Sequence, residues 1–190
     1  TSSLLVTSVT AADAAALATF LEASRQALGG VDVLVSNASA LAIGSDPAAW
    51  QASLEVDLMA AVRACDHVTP WMVEAGGGSI LLVSSISGLE VSPMPDFAYT
   101  TVKAALIAYA KKLAVLLAPQ HIRVNAIAPG AIDFPGGVWD QVRQHQPGLY
   151  AAVLKVIPSG RYGTPEEVAD LATYLVSPRA SWVTGECVVV

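Results

Sequence analysis

Residues 84–103, which read SSISGLEVSPMPDFAYTTVK, join the end of an apolar run to the start of an amphipathic helix. Tyr99 and Lys103 are four residues apart, which places both side chains on one helical face, one turn apart. A phenol titrates near ~10, and a neighbouring ammonium or a helix N-terminus favours its ionised form. We therefore expect this pair to exchange a proton with an alcohol or carbonyl oxygen.

Ser85 ends the apolar run that precedes this helix, and its hydroxyl is placed to hold the same oxygen. A Tyr-x-x-x-Lys spacing alone is weak support for catalysis, because amphipathic helices produce it by chance. The surroundings strengthen it. Gly88 follows Ser85 by three residues, a Pro-containing loop comes next, and Asp96 is the predicted cap of the helix.

The chain has 190 residues, 54% of them apolar and 14% charged, which is typical of one globular domain with a real core. A net charge of −6 without a basic cluster argues against a nucleic-acid partner. Lys111 and Lys112 interrupt the most apolar helix, so no membrane span is predicted. Cys65 and Cys187 are predicted to be reduced thiols of a cytoplasmic protein, and no residues have metal-ligand spacing.

Strand and helix patterns alternate along the whole chain. This predicts an α/β fold with a doubly wound parallel sheet flanked by helices, in a single domain over residues 1–190. Strands are predicted over 4–9, 31–35, 79–84, 122–127 and 186–190, and helices over 11–28, 47–75, 97–118 and 165–176. Thr164, Pro165 and Glu167 have the pattern of a capping box. Residues 133–160 show no clear periodicity.

These motifs, taken together, resemble the short-chain dehydrogenase/reductase family. The collinear matches are VDVLVSNAS at 31–39, GGGSILLVSSISG at 76–88, AYTTVKAAL at 98–106, IRVNAIAPGAI at 122–132, and the segment 159–190. The resemblance implies a Rossmann-like fold and the interconversion of a secondary alcohol and a ketone with NAD or NADP. It also implies a homotetramer or homodimer formed through the helices at 47–75 and 97–118.

The resemblance assigns a role to each matching residue. Ser85 would hold the substrate oxygen, Tyr99 would exchange its proton, and Lys103 would lower the Tyr99 pKa and bind the nicotinamide ribose. Position 57 belongs to a proton relay through a water molecule. The implied cofactor contacts are Asn37, Ala38, Ser39, Tyr99, Lys103, Pro129, Gly130 and Ile132. Residues 133–160 would form a lid, in which Trp139 either touches substrate or packs.

The chain departs from the family pattern at several positions. No TGxxxGxG turn is present, and the family's first βαβ unit of ~50–60 residues has no counterpart, so we expect a shortened protein, a fragment or part of a longer chain. The strand at 31–35 would then have an unpaired apolar edge, unless the strand at 4–9 moves beside it. Asp57 replaces a family Asn, and Ser39 replaces a Gly. If position 57 serves the relay, Asp57→Asn should be neutral or activating.

Two other functions remain open from the sequence. The missing glycine-rich turn favours a catalytically silent subunit or interaction module. A cofactor-free lyase resembling the halohydrin dehalogenases is the second alternative, but those enzymes have Arg where this chain has Lys103.

Overall fold

The structure is a computed structural model that describes residues 7–91 and 94–190. Its helices are α1 (Ala14–Leu28), α2 (Pro47–Ala52), α3 (Ala60–Glu74), α4 (Phe97–Leu117), α5 (Val138–His145), α6 (Pro147–Val156) and α7 (Pro165–Val176). A π-helical segment, Ser53–Met59, joins α2 to α3. Short 3₁₀ turns cover Ile86–Gly88, Ala118–Gln120 and Pro178–Ala180. The strands are β1 (Val33–Ser36), β2 (Gly78–Val83), β3 (Ile122–Ala128) and β4 (Cys187–Val189).

The four described strands form one parallel sheet in the order β1-β2-β3-β4. Helices α1, α3 and α4 cover one face of it, where Leu82 and Val124 pack against Leu106 and its neighbours. Helix α7 covers the other face, where Leu175 packs against Leu81 and Ile127. Because β2 and β3 are buried on both faces, their sequences are continuous apolar runs rather than alternating ones. The predicted α/β fold with helices on both faces of a parallel sheet is confirmed.

Helix ends follow the capping residues closely. The capping box of α7 is present: Glu167 N donates to the Thr164 hydroxyl, and Thr164 N donates to the Glu167 carboxylate at 2.9 Å. Asp13 accepts from Ala15 N and Ala16 N, so α1 begins at Ala14, three residues later than predicted. The prediction for Asp96 is wrong, because its backbone (φ −100°, ψ 39°) is not extended and its side chain caps nothing.

The predicted helix over 47–75 is continuous, but its middle is π-helical from Ser53 to Met59. A π-helical turn holds one more residue than an α-helical turn, and such segments are frequent at functional sites. This segment carries Asp57, whose side chain is fully buried. Apolar periodicity does not reveal a local change of this kind.

Residues 133–160 are more regular than predicted, since they contain α5 and α6. The helices have only eight and ten residues, so too few turns are present for a clear 3.6-residue period. The loop before α5 is fixed by Asp140, which accepts a hydrogen bond from Gly136 N at 2.9 Å. Pro147 begins α6, in the helix position where its missing N–H is not needed.

The strand predicted over 4–9 is only partly within the described residues. Positions 4–6 lie outside them, and Thr7 to Val9 form no strand. Within the described chain β1 pairs with β2 alone, and Val33 and Val35 are 42% and 48% exposed. The described part of the sheet therefore has the unpaired apolar edge that was predicted. None of the described helices is long and apolar enough to cross a membrane.

Candidate active site

The candidate site lies where the parallel strands end. Asn37, Ser84 and Pro129 follow β1, β2 and β3, and the carboxyl ends of parallel strands share one edge of the sheet. Ile86 N donates to Pro129 O at 3.0 Å, which ties the end of β2 to the end of β3. The segments predicted to hold substrate and cofactor therefore meet at this edge.

Lys103 lies in the centre of the site and is 2% exposed. Its Nζ is 3.1 Å from the nearer carboxylate oxygen of Asp57 and donates to Val83 O, also at 3.1 Å. Asp57 also accepts hydrogen bonds from Ala40 N, at 2.9 Å, and from the Ser39 hydroxyl. The carboxylate thus makes a direct, buried ion pair with Lys103, whereas the sequence predicted that position 57 acts through a water molecule.

Tyr99 lies one helical turn before Lys103, whose Nζ is 5.5 Å from the centre of the phenol ring. Burial raises the pKa of Tyr99, a hydrogen bond with Ser85 opposes this, and the charges of Asp57 and Asp96 raise the pKa further. The Tyr99 pKa is therefore raised overall, chiefly because burial disfavours the ionised phenol, and not lowered as the sequence predicted; that Lys103 opposes this rise stays a prediction. At neutral pH Tyr99 is a protonated phenol that has a proton to give.

The end of β2 fixes the position of α4. Ser84 is buried, and its hydroxyl donates to Lys103 O at 2.8 Å. Ser85 begins the 3₁₀ turn, and its Oγ accepts from Ser87 N at 3.2 Å, which leaves the Ser85 hydroxyl proton for another acceptor. Gly88 packs so closely that an added Cβ would lie 2.8 Å from the carbonyl carbon of Lys103. Ser84 therefore has a structural role, because it joins the end of β2 to α4.

Gly88→Ala should therefore destabilise the protein, because backbone rather than a flexible side chain meets the new methyl group. We expect a loss of about 1–3 kcal/mol in the free energy of unfolding, measured by urea titration. Gly148→Ala is the matched control. Gly148 lies in α6 with nothing within 4 Å of an added Cβ, so this change should be neutral or slightly stabilising. Equal stability of the two variants would show that the close approach is not needed.

The predicted cofactor residues divide into two groups. Asn37 and Ala38 are exposed beside the site, whereas the Ser39 hydroxyl points towards Asp57 and also accepts from Leu41 N at 3.1 Å. Gly130 N donates to Val190 O at 2.7 Å, and Ile132 pairs with Gly163 in a short bridge. The structure thus places these residues at the correct edge of the sheet, and their contacts with a cofactor stay predictions.

Two residues outside the reacting pair have packing partners. Asn125 holds the loop before β4, since its side chain donates to Val183 O at 2.9 Å and accepts from Glu186 N at 3.1 Å. The Trp139 ring lies 5.3 Å from the ring of Tyr162, which also stacks on Tyr150 at 4.2 Å. Trp139 therefore has a packing role, while contact with substrate stays a prediction. In the described residues no cluster of three His, Cys, Asp or Glu is arranged to hold a metal ion.

Sequence reasoning missed the connection from Ser39 through Asp57 to Lys103. The signal was present as two separate departures from the family pattern, a Ser for a Gly and an Asp for an Asn. Their contact depends on the π-helical segment and on the path of the loop after β1, which the pattern of apolar residues does not reveal.

Comparison with known proteins agrees with this geometry. A sequence family described as "Enoyl-(Acyl carrier protein) reductase" matches residues 2–190. Isoepoxydon dehydrogenase of Penicillium expansum is 36% identical over 169 residues, which cover 89% of this chain and 65% of that enzyme. The chain thus spans about two thirds of the length of that relative.

Solved structures give the same result. A 7α-hydroxysteroid dehydrogenase in complex with NADH and 7-oxo glycochenodeoxycholic acid superposes with a TM-score of 0.88 and 29% identity, covering 96% of this chain and 71% of that one. L-Sorbose reductase of Gluconobacter frateurii, in complex with NADPH and L-sorbose, gives a TM-score of 0.85 and 30% identity, covering 96% and 73%. The chain belongs to the short-chain dehydrogenase/reductase family.

Proposed function

We propose that this protein interconverts a secondary alcohol and a ketone with NAD or NADP, using Ser85, Tyr99 and Lys103. One observation carries the proposal: Tyr99 and the buried ammonium of Lys103 lie on one face of α4, and Ser85, at the end of β2, is close enough to Tyr99 to influence its pKa. The NADH and NADPH complexes of the structural relatives support the choice of cofactor.

The residues present suit the nicotinamide end of such a cofactor. An ammonium has three donors, and Lys103 uses two of them, on Asp57 and Val83 O, so one is left for a ribose hydroxyl. Asn37 and Ala38 are exposed on the adjoining loop. No glycine-rich turn lies within residues 1–190 to receive the pyrophosphate.

In the direction of ketone reduction, Tyr99 gives its proton to the carbonyl oxygen, which the Ser85 hydroxyl holds in place by a hydrogen bond. The bound nicotinamide supplies the hydride for the carbonyl carbon. Lys103 stabilises the negative charge that develops on the phenol oxygen as its proton leaves. Because burial raises the Tyr99 pKa, the phenol is protonated at neutral pH and carries the proton that reduction consumes.

We propose that the substrate is an apolar or ring-bearing alcohol or ketone. Phe134 and Val138, at the start of the predicted lid, are 45% and 40% exposed and offer apolar surface to such a molecule. The carbonyl panel for the assay consists of two ring-bearing ketones named with solved structural relatives, a 7-oxo bile acid and levodione. In a polypeptide that carries a glycine-rich segment ahead of Thr1, we expect oxidation of NADH or NADPH with at least one of these compounds, and a strong loss of that activity in Tyr99→Phe. No oxidation of bound cofactor with any of them would refute this substrate class.

We expect the protein to be a homodimer or homotetramer. Helix α4 exposes Phe97, Val115 and Leu116 at 61%, 78% and 66%, and Val73 of α3 is 44% exposed. A helix that is apolar on more than its core-facing side requires a further partner surface. Light scattering at micromolar concentration should give a mass of at least two chains, and a monomer would contradict the prediction. The cytoplasmic location predicted from Cys65 and Cys187 stays a prediction.

A catalytically silent interaction module is the second candidate. The unpaired edge of β1 within the described sheet and the missing glycine-rich turn favour it. The buried Asp57–Lys103 pair argues against it, because a buried charge pair is costly to keep where no chemistry uses it. A well-folded protein that binds no nicotinamide cofactor even with a glycine-rich segment attached would favour the silent module.

A further inference from the structure

Three side chains form a continuous connection from the loop after β1 to α4. The Ser39 hydroxyl donates to Oδ1 of Asp57, and the same oxygen lies 3.1 Å from Nζ of Lys103. Ala40 N donates to Oδ2 at 2.9 Å, so both carboxylate oxygens have partners. Asp57 and Lys103 are each 2% exposed. Water therefore contributes little to holding either charge, and the protein groups have to do so.

Lys103 depends on this carboxylate for its charge. Taking an ammonium out of water favours its neutral form unless a counter-charge is close. Burial lowers the pKa of Lys103, and the charge and hydrogen bond of Asp57 oppose that change. Asp57, on the neighbouring π-helical segment, is the titratable group whose charge raises the Lys103 pKa. Tyr99 lies beside Lys103 on α4, and the charge of Asp96 raises the Tyr99 pKa.

We propose that Ser39 and Asp57 are positioning residues that together keep Lys103 charged and in place at the catalytic site. The proposal rests on the catalytic role proposed for Lys103. Ser39 is locked in the required orientation, because its oxygen accepts from Leu41 N while its proton goes to the carboxylate. Ser39 and Asp57, the two departures from the family pattern, thus act as one unit: the Ser39 hydroxyl holds the carboxylate that the Asp at position 57 introduces.

This unit has a consequence for pH dependence. A charged Lys103 stabilises the negative charge that arises when Tyr99 gives up its proton, and that benefit is lost as pH rises through the Lys103 pKa. Because Asp57 raises that pKa, it extends the working range of the site towards alkaline pH. It also reverses the expectation for Asp57→Asn. A neutral amide no longer holds the ammonium, so the variant should lose function at alkaline pH rather than gain it.

The test is an NMR titration of the lysine side chains in the 190-residue chain without cofactor. The chain has four lysines, Lys103, Lys111, Lys112 and Lys155, so the Lys103 signal is assigned by its loss in Lys103→Met. Asp57→Asn should lower the Lys103 pKa by at least about one unit, because the counter-charge that opposes the effect of burial is then lost. Ser39→Ala should lower it by roughly half a unit, and should add nothing in the Asp57→Asn background.

Ser53→Ala is the matched control. Ser53 lies in the same π-helical segment, and its Oγ is buried without a hydrogen-bond partner in the described structure. Removing this hydroxyl should leave the Lys103 pKa unchanged. An unchanged pKa in Ser39→Ala or Asp57→Asn, or an equal fall in Ser53→Ala, would overturn the proposal. If Asp57→Asn fails to fold, the comparison of the Lys103 pKa in Ser39→Ala with that in Ser53→Ala tests the proposal. The titration requires no turnover, so its failure is distinct from failure of the oxidoreductase proposal.

Discussion

A polypeptide of residues 1–190 should bind NADH or NADPH only in the millimolar range or more weakly. The nicotinamide half of the cofactor has suitable residues in this polypeptide, namely Asn37, Tyr99, Lys103 and Ile132. Residues 1–190 contain no glycine-rich turn for the phosphates. Losing three or four charge-assisted hydrogen bonds at ~1.5–3 kcal/mol each weakens binding by at least ~10³-fold. Fluorescence titration of the cofactor measures the affinity directly.

The comparison for that titration is a longer polypeptide that carries a strand and a TGxxxGxG turn ahead of Thr1. We expect micromolar binding by this polypeptide, because the added turn receives the pyrophosphate at a helix N-terminus and the added strand has the open edge of β1 to pair with. Micromolar binding by residues 1–190 alone would show that the chain holds the phosphates in another way.

Tyr99→Phe should reduce turnover of the longer polypeptide by about 10²–10⁴-fold, the usual contribution of a well-placed acid-base group. The ring that packs beside Lys103 is kept, and only the hydroxyl that gives up its proton is removed. Steady-state rates with a ketone from the carbonyl panel, at saturating cofactor, measure the effect.

Tyr109→Phe is the control for that variant. Tyr109 lies on the same helix and packs against the core, away from the reacting pair. Its loss of a hydroxyl should leave turnover within a few-fold of the parent. An equal loss in both variants would show that the phenol of Tyr99 has no special part in the reaction.

The four described strands and several helix ends were predictable because each rests on a local signal. The apolar runs before Ser84 and Pro129 are long enough to indicate strands that are buried on both faces. The capping box that begins at Thr164 is enough to predict where α7 starts. The four-residue spacing of Tyr99 and Lys103 is also a local signal, and it predicts that both side chains lie on one face of α4.

The charge balance of the site was not predictable in the same way. It depends on whether the carboxylate of Asp57 reaches Lys103. That contact depends on the π-helical segment and on Ser39, which lies 18 residues before Asp57 in the sequence. From sequence alone, Lys103 was the charge next to Tyr99. In the fold, burial raises the Tyr99 pKa where a fall was expected, and the charge of Asp57 adds to the rise.

The measurement that tests the central claim most directly is the transfer of deuterium from specifically deuterated NADH or NADPH to a ketone of the carbonyl panel. The longer polypeptide, with bound cofactor, should place the deuterium on the carbinol carbon of the alcohol product, and Tyr99→Phe should slow that transfer by at least ~10²-fold. Tight cofactor binding without any transfer, or transfer at an unchanged rate in Tyr99→Phe, would contradict the assignment of this site to alcohol–ketone oxidoreduction.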